Sequence, residues 1–200
     1  SWNQMALDYH AKNDKISLSV GYKNLHDQYK YNSALIPNKN NSKLLQALLT
    51  DEWKFQIKTM ITSGLQLIRK KIISNDRGNH DQNQAAAFVV LNKEIGSNFF
   101  INPALRIEWN ERSGWEVIPQ ANISYRTNKF QVRASGGKTI RDADFTERFN
   151  NYNKAFVSSG RIGNPDLVAE HSISYEGGLD CFATSDLKLS ATFFQRYHTD

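Results

Sequence analysis

Apolar and polar side chains alternate along most of the chain. In residues 115–126, Trp115, Val117, Pro119, Ala121, Ile123 and Tyr125 fall on one face. Glu116, Gln120, Asn122 and Ser124 fall on the other, where Ile118 is the lone apolar residue. Residues 99–110 repeat the arrangement, with Phe99, Ile101, Pro103, Leu105, Ile107 and Trp109 opposed by Asn102, Arg106, Glu108 and Asn110. A period of two sustained this long specifies β-strand. Less regular alternation places further strands at 3–11, 15–31, 43–55, 59–73, 84–95, 129–138, 168–180 and 186–198. The total is about ten strands and no helix. The stripe Leu44, Leu45, Leu48, Leu49 has helical spacing but is too short to override the strands around it.

The connections between these strands alternate in size. Short ones are expected at 12–14, 56–58, 95–98, 127–128 and 181–185. Long ones are expected at 32–42, 74–83 and 139–167, with 110–114 the short member of that set. Alternate connections of an up-and-down sheet lie at opposite ends, so one rim is trimmed and the other elaborated, the asymmetry of outer-membrane barrels. The faces agree. Tyr22, Trp109, Trp115, Tyr125 and Phe130 stand near strand ends on the apolar side, where amphipathic rings meet a membrane interface. Arg106, Glu108, Glu116, Arg133, Glu176 and Lys188 line the other side and suit a hydrated lumen. The strands run about ten to seventeen residues, well beyond the ~5–6 typical of sandwiches. The expected fold is all-β: part of an antiparallel up-and-down transmembrane β-barrel. On periodicity alone, a soluble antiparallel sheet with one solvated face remains the alternative.

Composition changes this picture little. The net charge of +5 is dispersed, Arg69–Lys71 being the only basic run. Nucleic-acid binders gather their charge into a patch or stripe, so no nucleic-acid partner is expected. Cys181 is the single cysteine, which excludes an internal disulfide and a multi-thiolate metal site. No apolar run approaches a membrane helix, a criterion that says nothing about barrels. The opening Ser1-Trp2-Asn3 carries no leader pattern, and Phe193 to Asp200 reads as a strand cut short. Residues 1–200 are therefore expected to form one piece of a larger barrel domain, truncated at both ends.

Candidate chemistry is sparse. Gly78-Asn79-His80-Asp81, with Asp8-Tyr9-His10 upstream, looks like part of a binuclear metallophosphoesterase site. The bridging Gly-Asp pair and the downstream histidine cluster of such sites are missing. The segment reads instead as a polar loop between strands. His10, His26, His80, His171 and His198 share no metal-ligand spacing. Neither a nucleophile motif nor a phosphate loop is present. No catalytic residue, metal site or cofactor is expected, and His80 with Asp81 as a rim hydrolase lacks any completing group. Lys43 and Arg69–Lys71 lie near strand ends and suit solvation or contact with anionic lipid head groups; attraction of an anionic ligand is the other reading.

The long segment Arg141–Glu176 carries the specific signal. Its first part holds Arg141, Phe145, Thr146, Glu147 and Phe149; its second holds Gly163, Asn164, Pro165, Asp166, Leu167 and Glu170. These parts resemble the barrel domain of TonB-dependent outer-membrane receptors, where a strand-end Arg-x-Pro-x-x-x-Glu segment and a Gly-Asn-Pro-x-Leu-x-Pro-Glu segment bracket a loop. Ser172–Leu179, Pro103–Trp109 and Pro119–Tyr125 also look like strands of that family. The likeness is clear over 99–200 and extends over 1–98. Ala143 and Ala169 stand where the family has proline, so the backbone there is less constrained. Physically, Gly163 permits a positive φ, Pro165 holds Asn164 extended, and the Asp166 carboxylate can close a turn. Gly163, Asn164, Pro165, Asp166, Leu167 and Glu170 are thus read as structural.

The resemblance implies energy-coupled uptake of a scarce nutrient, a ferric siderophore or cobalamin, across a Gram-negative outer membrane, and no enzymatic activity. It implies an N-terminal plug that contacts TonB, absent from these residues, and a barrel of ~22 strands. Partners would be the TonB complex through that plug, outer-membrane lipids and a small-molecule or metal-chelate ligand. Ligand-side residues are expected in the longest loop: Arg141, Phe145, Glu147, Arg148, Tyr152 and Arg161. A non-transporting outer-membrane barrel or a soluble β-sheet binding module is the alternative function.

Overall fold

The structure is a computed structural model that describes residues 1–30, 36–151, 163–184 and 186–199. It contains ten strands: β1 (Trp2–His10), β2 (Asp14–Tyr29), β3 (Asn38–Gln56), β4 (Thr59–Ser74), β5 (Gly78–Ile95), β6 (Phe99–Asn110), β7 (Gly114–Arg126), β8 (Phe130–Arg141), β9 (Glu170–Phe182) and β10 (Lys188–Thr199). One short helix, α1 (Phe145–Phe149), follows β8. The strands form a single sheet in strict chain order, β1 through β10, with every neighbour antiparallel. β1 and β10 do not pair, so the sheet is an open arc of a barrel wall. The expected all-β, up-and-down architecture is what the chain adopts.

The alternation seen in the sequence separates the two faces of the wall. Cross-strand rows such as Leu18–Leu49–Leu65–Ala87–Ile107–Val117 stand on the outer side. Leu49, Leu65, Ile107 and Val117 are all exposed, and Trp115 is 72 % exposed. Asp51 interrupts this outer face between Leu49 and Trp53. An exposed apolar surface of such extent is what a lipid-facing wall requires and what a soluble sheet must avoid. The inner face is ionic. Arg106 donates to Glu108 and to Gln66, both at 2.8 Å, and Gln84 also donates to Glu108. Arg133 donates to Asp180 at 2.8 Å, and Lys188 pairs with the same carboxylate at 3.2 Å. Ile118, the apolar residue on the polar side, is buried at 7 % exposure.

Two expectations about the elaborated rim need correction. The 74–83 connection is not a long loop: β4 continues to Ser74, β5 begins at Gly78, and the turn occupies 75–77. Ser74 Oγ accepts from the backbone N–H groups of Asp76 and Arg77, and Gly78 adopts φ +86°. Polar side-chain turn chemistry plus a left-handed glycine closes the hairpin tightly, where the Asn/Asp/Gly content had suggested a loop. The connection before β3 is also shorter than expected, since β3 starts at Asn38. The second correction is α1, a helical turn inside the segment expected to be irregular throughout. The long connection that remains is 142–169, and it positions the candidate site.

Candidate functional site

α1 exists because its ends are satisfied locally. Asp144 caps it, accepting from the backbone N–H of Thr146 at 2.7 Å and of Glu147 at 2.8 Å. The Glu147 side chain returns to the Asp144 backbone N–H at 2.9 Å, completing a capping box. Arg141, the last residue of β8, forks onto both Glu170 oxygens at 3.0 Å and reaches Glu147 at 2.8 Å. This fork ties the two ends of the 142–169 connection together, a planar bidentate arrangement that lysine could not reproduce.

Asp142 is the hub beneath the loop. Its carboxylate accepts from Asn110 at 3.0 Å, from Gln82 and from the Arg112 guanidinium. Arg112 also donates to the Leu167 carbonyl, so one side chain from the 111–113 turn holds both the start and the finish of the loop. Burial works to raise the Asp142 pKa, but the Arg112, Gln82 and Asn110 hydrogen bonds outweigh it and hold it below the ordinary aspartate value. Arg148 is shifted the other way: burial, then the nearby Arg112 charge, lowers its pKa from the usual guanidinium value. Its Nε donates to the Pro165 carbonyl at 3.4 Å, and its guanidinium lies 4.7 Å from the Phe149 ring centroid.

The loop folds onto the inner face of the wall. Phe149, 7 % exposed, stacks on the His80 ring of β5 with centroids 3.5 Å apart and planes 6° from parallel. Ile72, directly opposite His80 on β4, is 3 % exposed. Ala143 and Ala169 are buried as well, so these two departures from the proline pattern are held by packing. His80 is therefore spoken for as an aromatic platform, its Nε2 lying 2.7 Å from the Arg77 carbonyl oxygen. Asp81 pairs with Arg69 at 3.1 Å. The segment Gly78–Asp81 is strand, not the expected loop, and no group of metal-binding side chains occurs among the described residues.

The Gly163–Leu167 segment docks on the helix C-terminus. Gly163 N–H donates to the Asn150 carbonyl at 2.9 Å and Asn164 N–H to that of Glu147 at 3.1 Å. A Cβ on Gly163 would stand 2.5 Å from the Arg148 carbonyl oxygen and from the Asn150 nitrogen. Gly163 is thus demanded by close approach of two backbones. The turn is closed by the Asn164 side chain, which accepts from Asp166 N–H at 3.0 Å, and not by the Asp166 carboxylate. Glu170 opens β9 and belongs to the Arg141 fork.

Of the six residues expected on the ligand side, Tyr152 and Arg161 lie outside the described residues. Arg141, Glu147 and Arg148 are engaged in holding the loop. Phe145 borders a cleft of about 250 Å³ on the inner face, together with Lys23, Leu25, Leu44 and Lys70. Sequence reasoning missed Gln82, Asn110, Arg112 and Asp142. The available signal was that Gln82 and Asn110 are amides on inward positions near the elaborated rim. Nothing in the sequence said which loop they would meet.

Strands in chain order, an apolar outer face, an ionic inner face and one long inward-folded rim loop define a section of an outer-membrane-type barrel wall. The particular family follows from comparison: the family described as TonB dependent receptor-like, beta-barrel matches residues 2–200, and the chain belongs to it. No curated protein sequence matches the chain. Among solved structures, a point mutant of the Pseudomonas aeruginosa ferric enterobactin receptor PfeA superposes with a TM-score of 0.82 at 14 % identity, covering 98 % of this chain and 34 % of the receptor. The siderophore receptor PirA of the same organism gives 0.77 at 18 % identity, covering 98 % and 38 %. The ferric yersiniabactin uptake receptor FyuA of Yersinia pestis gives 0.70 at 17 % identity, covering 98 % and 35 %. At these identities the likeness establishes a shared fold. The chain spans 34 to 38 % of the length of these three receptors.

Proposed function

We propose that this chain is part of the wall of an outer-membrane receptor that takes up a ferric siderophore in a TonB-dependent manner. The observation that carries the reading is that α1, at the start of the 142–169 connection, brings Phe145 to the border of an inner-face cleft that Lys23 and Lys70 also line. A cleft lined by an aromatic ring and two cations suits an anionic, ring-bearing metal chelate better than a neutral solute. Membership of a receptor family and the siderophore receptors among its structural relatives support the same class over cobalamin.

In this reading Phe145, Tyr152 and Arg161 meet the ligand. Arg141, Glu147 and Arg148 serve capture by fixing the loop that presents them. The inner ionic face, from Arg106–Glu108 to Arg133–Asp180, holds a plug domain by hydrogen bonds, and TonB acts on that plug. No step of the cycle calls for bond-making chemistry by these residues. The test is made on the full-length receptor. Phe145→Ala and Lys23→Ala/Lys70→Ala are expected to weaken ferric-siderophore binding at least tenfold, with radioiron uptake falling in parallel. Unchanged affinity in both variants refutes this placement of the ligand. Uptake that persists in cells lacking TonB refutes the energy coupling.

A further inference from the structure

The join between β7 and β8 is incomplete. β6 and β7 are paired over twelve residues, and so are β8 and β9, but β7 and β8 are paired over seven, from Gln120–Gly137 to Arg126–Gln131. At the last of these pairs the strands are in close contact: a Cβ on Gly137 would stand 2.8 Å from the Gln120 side chain. Beyond it Pro119 has no N–H to offer. Residues 114–119 then pair only with β6, and 138–141 only with β9. The two sides meet again at Asp142, which accepts from Arg112 and Asn110. Between these limits the backbone ladder leaves a window beside residues 115–119, about 17 Å of strand.

Three side chains cross this window. Glu116 stands between the outward Trp115 and Val117, so alternation turns it inward. Lys138 and His171 belong to the outward set, in register with Ile173 and Ile140. In a continuous ladder, backbone separates an inward carboxylate from outward cations. Here Lys138 Nζ donates to one Glu116 oxygen at 2.7 Å, and His171 Nε2 lies 2.8 Å from the other. They meet because their side chains run through the gap. The two mouths differ in character. Exposed Trp115, Val117 and Ile173 flank the outer one. The hydrogen-bonded Thr139 and Ser172 hydroxyls, and Glu108 opposite Glu116, stand at the inner one. A passage apolar outside and polar inside suits an amphiphile, whose chain and head each keep a matching environment.

We propose that the rim half of the β7–β8 join is a lateral window in the wall that admits the apolar chain of an amphiphile from the bilayer, with Glu116 as its latch. This rests on the reading of the chain as an outer-membrane wall. Closure by partly exposed ion pairs is weaker than closure by a ladder of backbone hydrogen bonds, so this stretch opens before any paired one.

The experiment uses the full-length receptor in nanodiscs, with Cys181→Ser so that only introduced cysteines carry labels. Spin labels on Val117→Cys and Ile140→Cys read the width of the window; labels on Tyr125→Cys and Val132→Cys, a paired row, are the control. Glu116→Ala is expected to lengthen the first distance and leave the second unchanged. A fluorophore on Thr139→Cys reports chain entry through quenching by phosphatidylcholine brominated on its acyl chains, and the same fluorophore on the inner-face Thr62→Cys is the control. Glu116→Ala is expected to raise quenching at 139 about fivefold, the effect of losing one partly exposed ion pair, and to leave the control unquenched. Val117→Trp fills the outer mouth and is expected to abolish that rise. Glu116→Gln keeps the size, loses the charge and is expected to act as Glu116→Ala does, so it serves where the alanine variant does not insert. An unchanged 117–140 distance in both Glu116 variants overturns the proposal. Opening without quenching at 139 overturns it as well, as does equal quenching at 62 and 139. Insertion is scored separately by heat-modifiable mobility: a wild-type receptor that does not insert refutes the membrane reading itself, whereas an inserted receptor whose window ignores Glu116 refutes only the window.

Discussion

Replacing Asp142 by Asn tests the architecture of the long loop most directly. The substitution keeps the size of the side chain and one oxygen for Gln82 or Asn110, but removes the charge facing Arg112. Arg112 is largely shielded, with its side chain 20 % exposed, and Asp142 more so at 12 %. A hydrogen bond to a charged group contributes roughly 1.5–3 kcal/mol, and the partial exposure places this one near the middle, at about 2 kcal/mol. The Arg112 bond to the Leu167 carbonyl remains and limits the loss. A change of about 2 kcal/mol in local opening raises the open population about thirtyfold. Amide hydrogen exchange on the full-length receptor reads this as a matching loss of protection in peptides covering 142–149 and 163–169, with β6 and β9 unchanged. The pH dependence carries the sign. The folded-state pKa of Asp142 lies below its unfolded value of about 3.9, so its contribution is complete above that value and disappears as pH falls through the folded one. Wild-type loop protection is expected to weaken on acidification through that range, and the Asp142→Asn variant to weaken less, its remaining step belonging to the carboxylates of the Arg141 fork and the Asp144 cap. Equal protection in both proteins at neutral pH would refute the role assigned to Asp142.

Other expected outcomes follow the same logic. Gly163→Ala places a Cβ 2.5 Å from two backbone atoms; overpacking of this kind costs about 1–3 kcal/mol, and the variant should expose the loop to limited proteolysis at a rate the wild type does not show. His80→Ala removes the platform under Phe149 and should cost about 0.5–1.5 kcal/mol of loop stability by exchange, with the metal content of the purified receptor unaltered. Glu116→Ala removes the carboxylate that Lys138 and His171 share at 2.7 and 2.8 Å, and exchange in 138–141 should rise, because the β7–β8 ladder ends at Gln120–Gly137 beside Pro119, which has no N–H to continue it. Leu65→Arg, on the outer apolar row, should destabilise the membrane-inserted barrel by about 2–4 kcal/mol in denaturant titration, while Thr62→Arg on the inner face should stay within about 0.5 kcal/mol.

The strands were legible because lipid on one side and water on the other impose a period of two on every one of them. That single constraint separates Leu65 from Gln66 and Ile107 from Arg106 without reference to any partner strand. The neighbour order was legible too, since the alternation of short and long connections matches the two rims of an up-and-down sheet. Strand ends were less so. Ser74 and Gly78 look like loop residues in isolation, and only the hydrogen bonds of the Ser74 hydroxyl show that they close a tight turn.

The loop that bears the candidate site shows the division most clearly. Its bracketing segments, from Arg141 to Phe149 and from Gly163 to Glu170, are short-range patterns. A capping box or an Asn-Pro turn is satisfied within a few residues, so the sequence by itself determined that something ordered begins and finishes there. It also determined the all-β class, the two faces and the family. Only the tertiary structure decided that Arg141 joins Glu147 to Glu170, that Asp142 answers Arg112, and that His80 lies under Phe149. Those pairings join residues on strands and turns that are distant in the chain. Their partners are chosen by the register and curvature of the whole sheet, which no local pattern encodes.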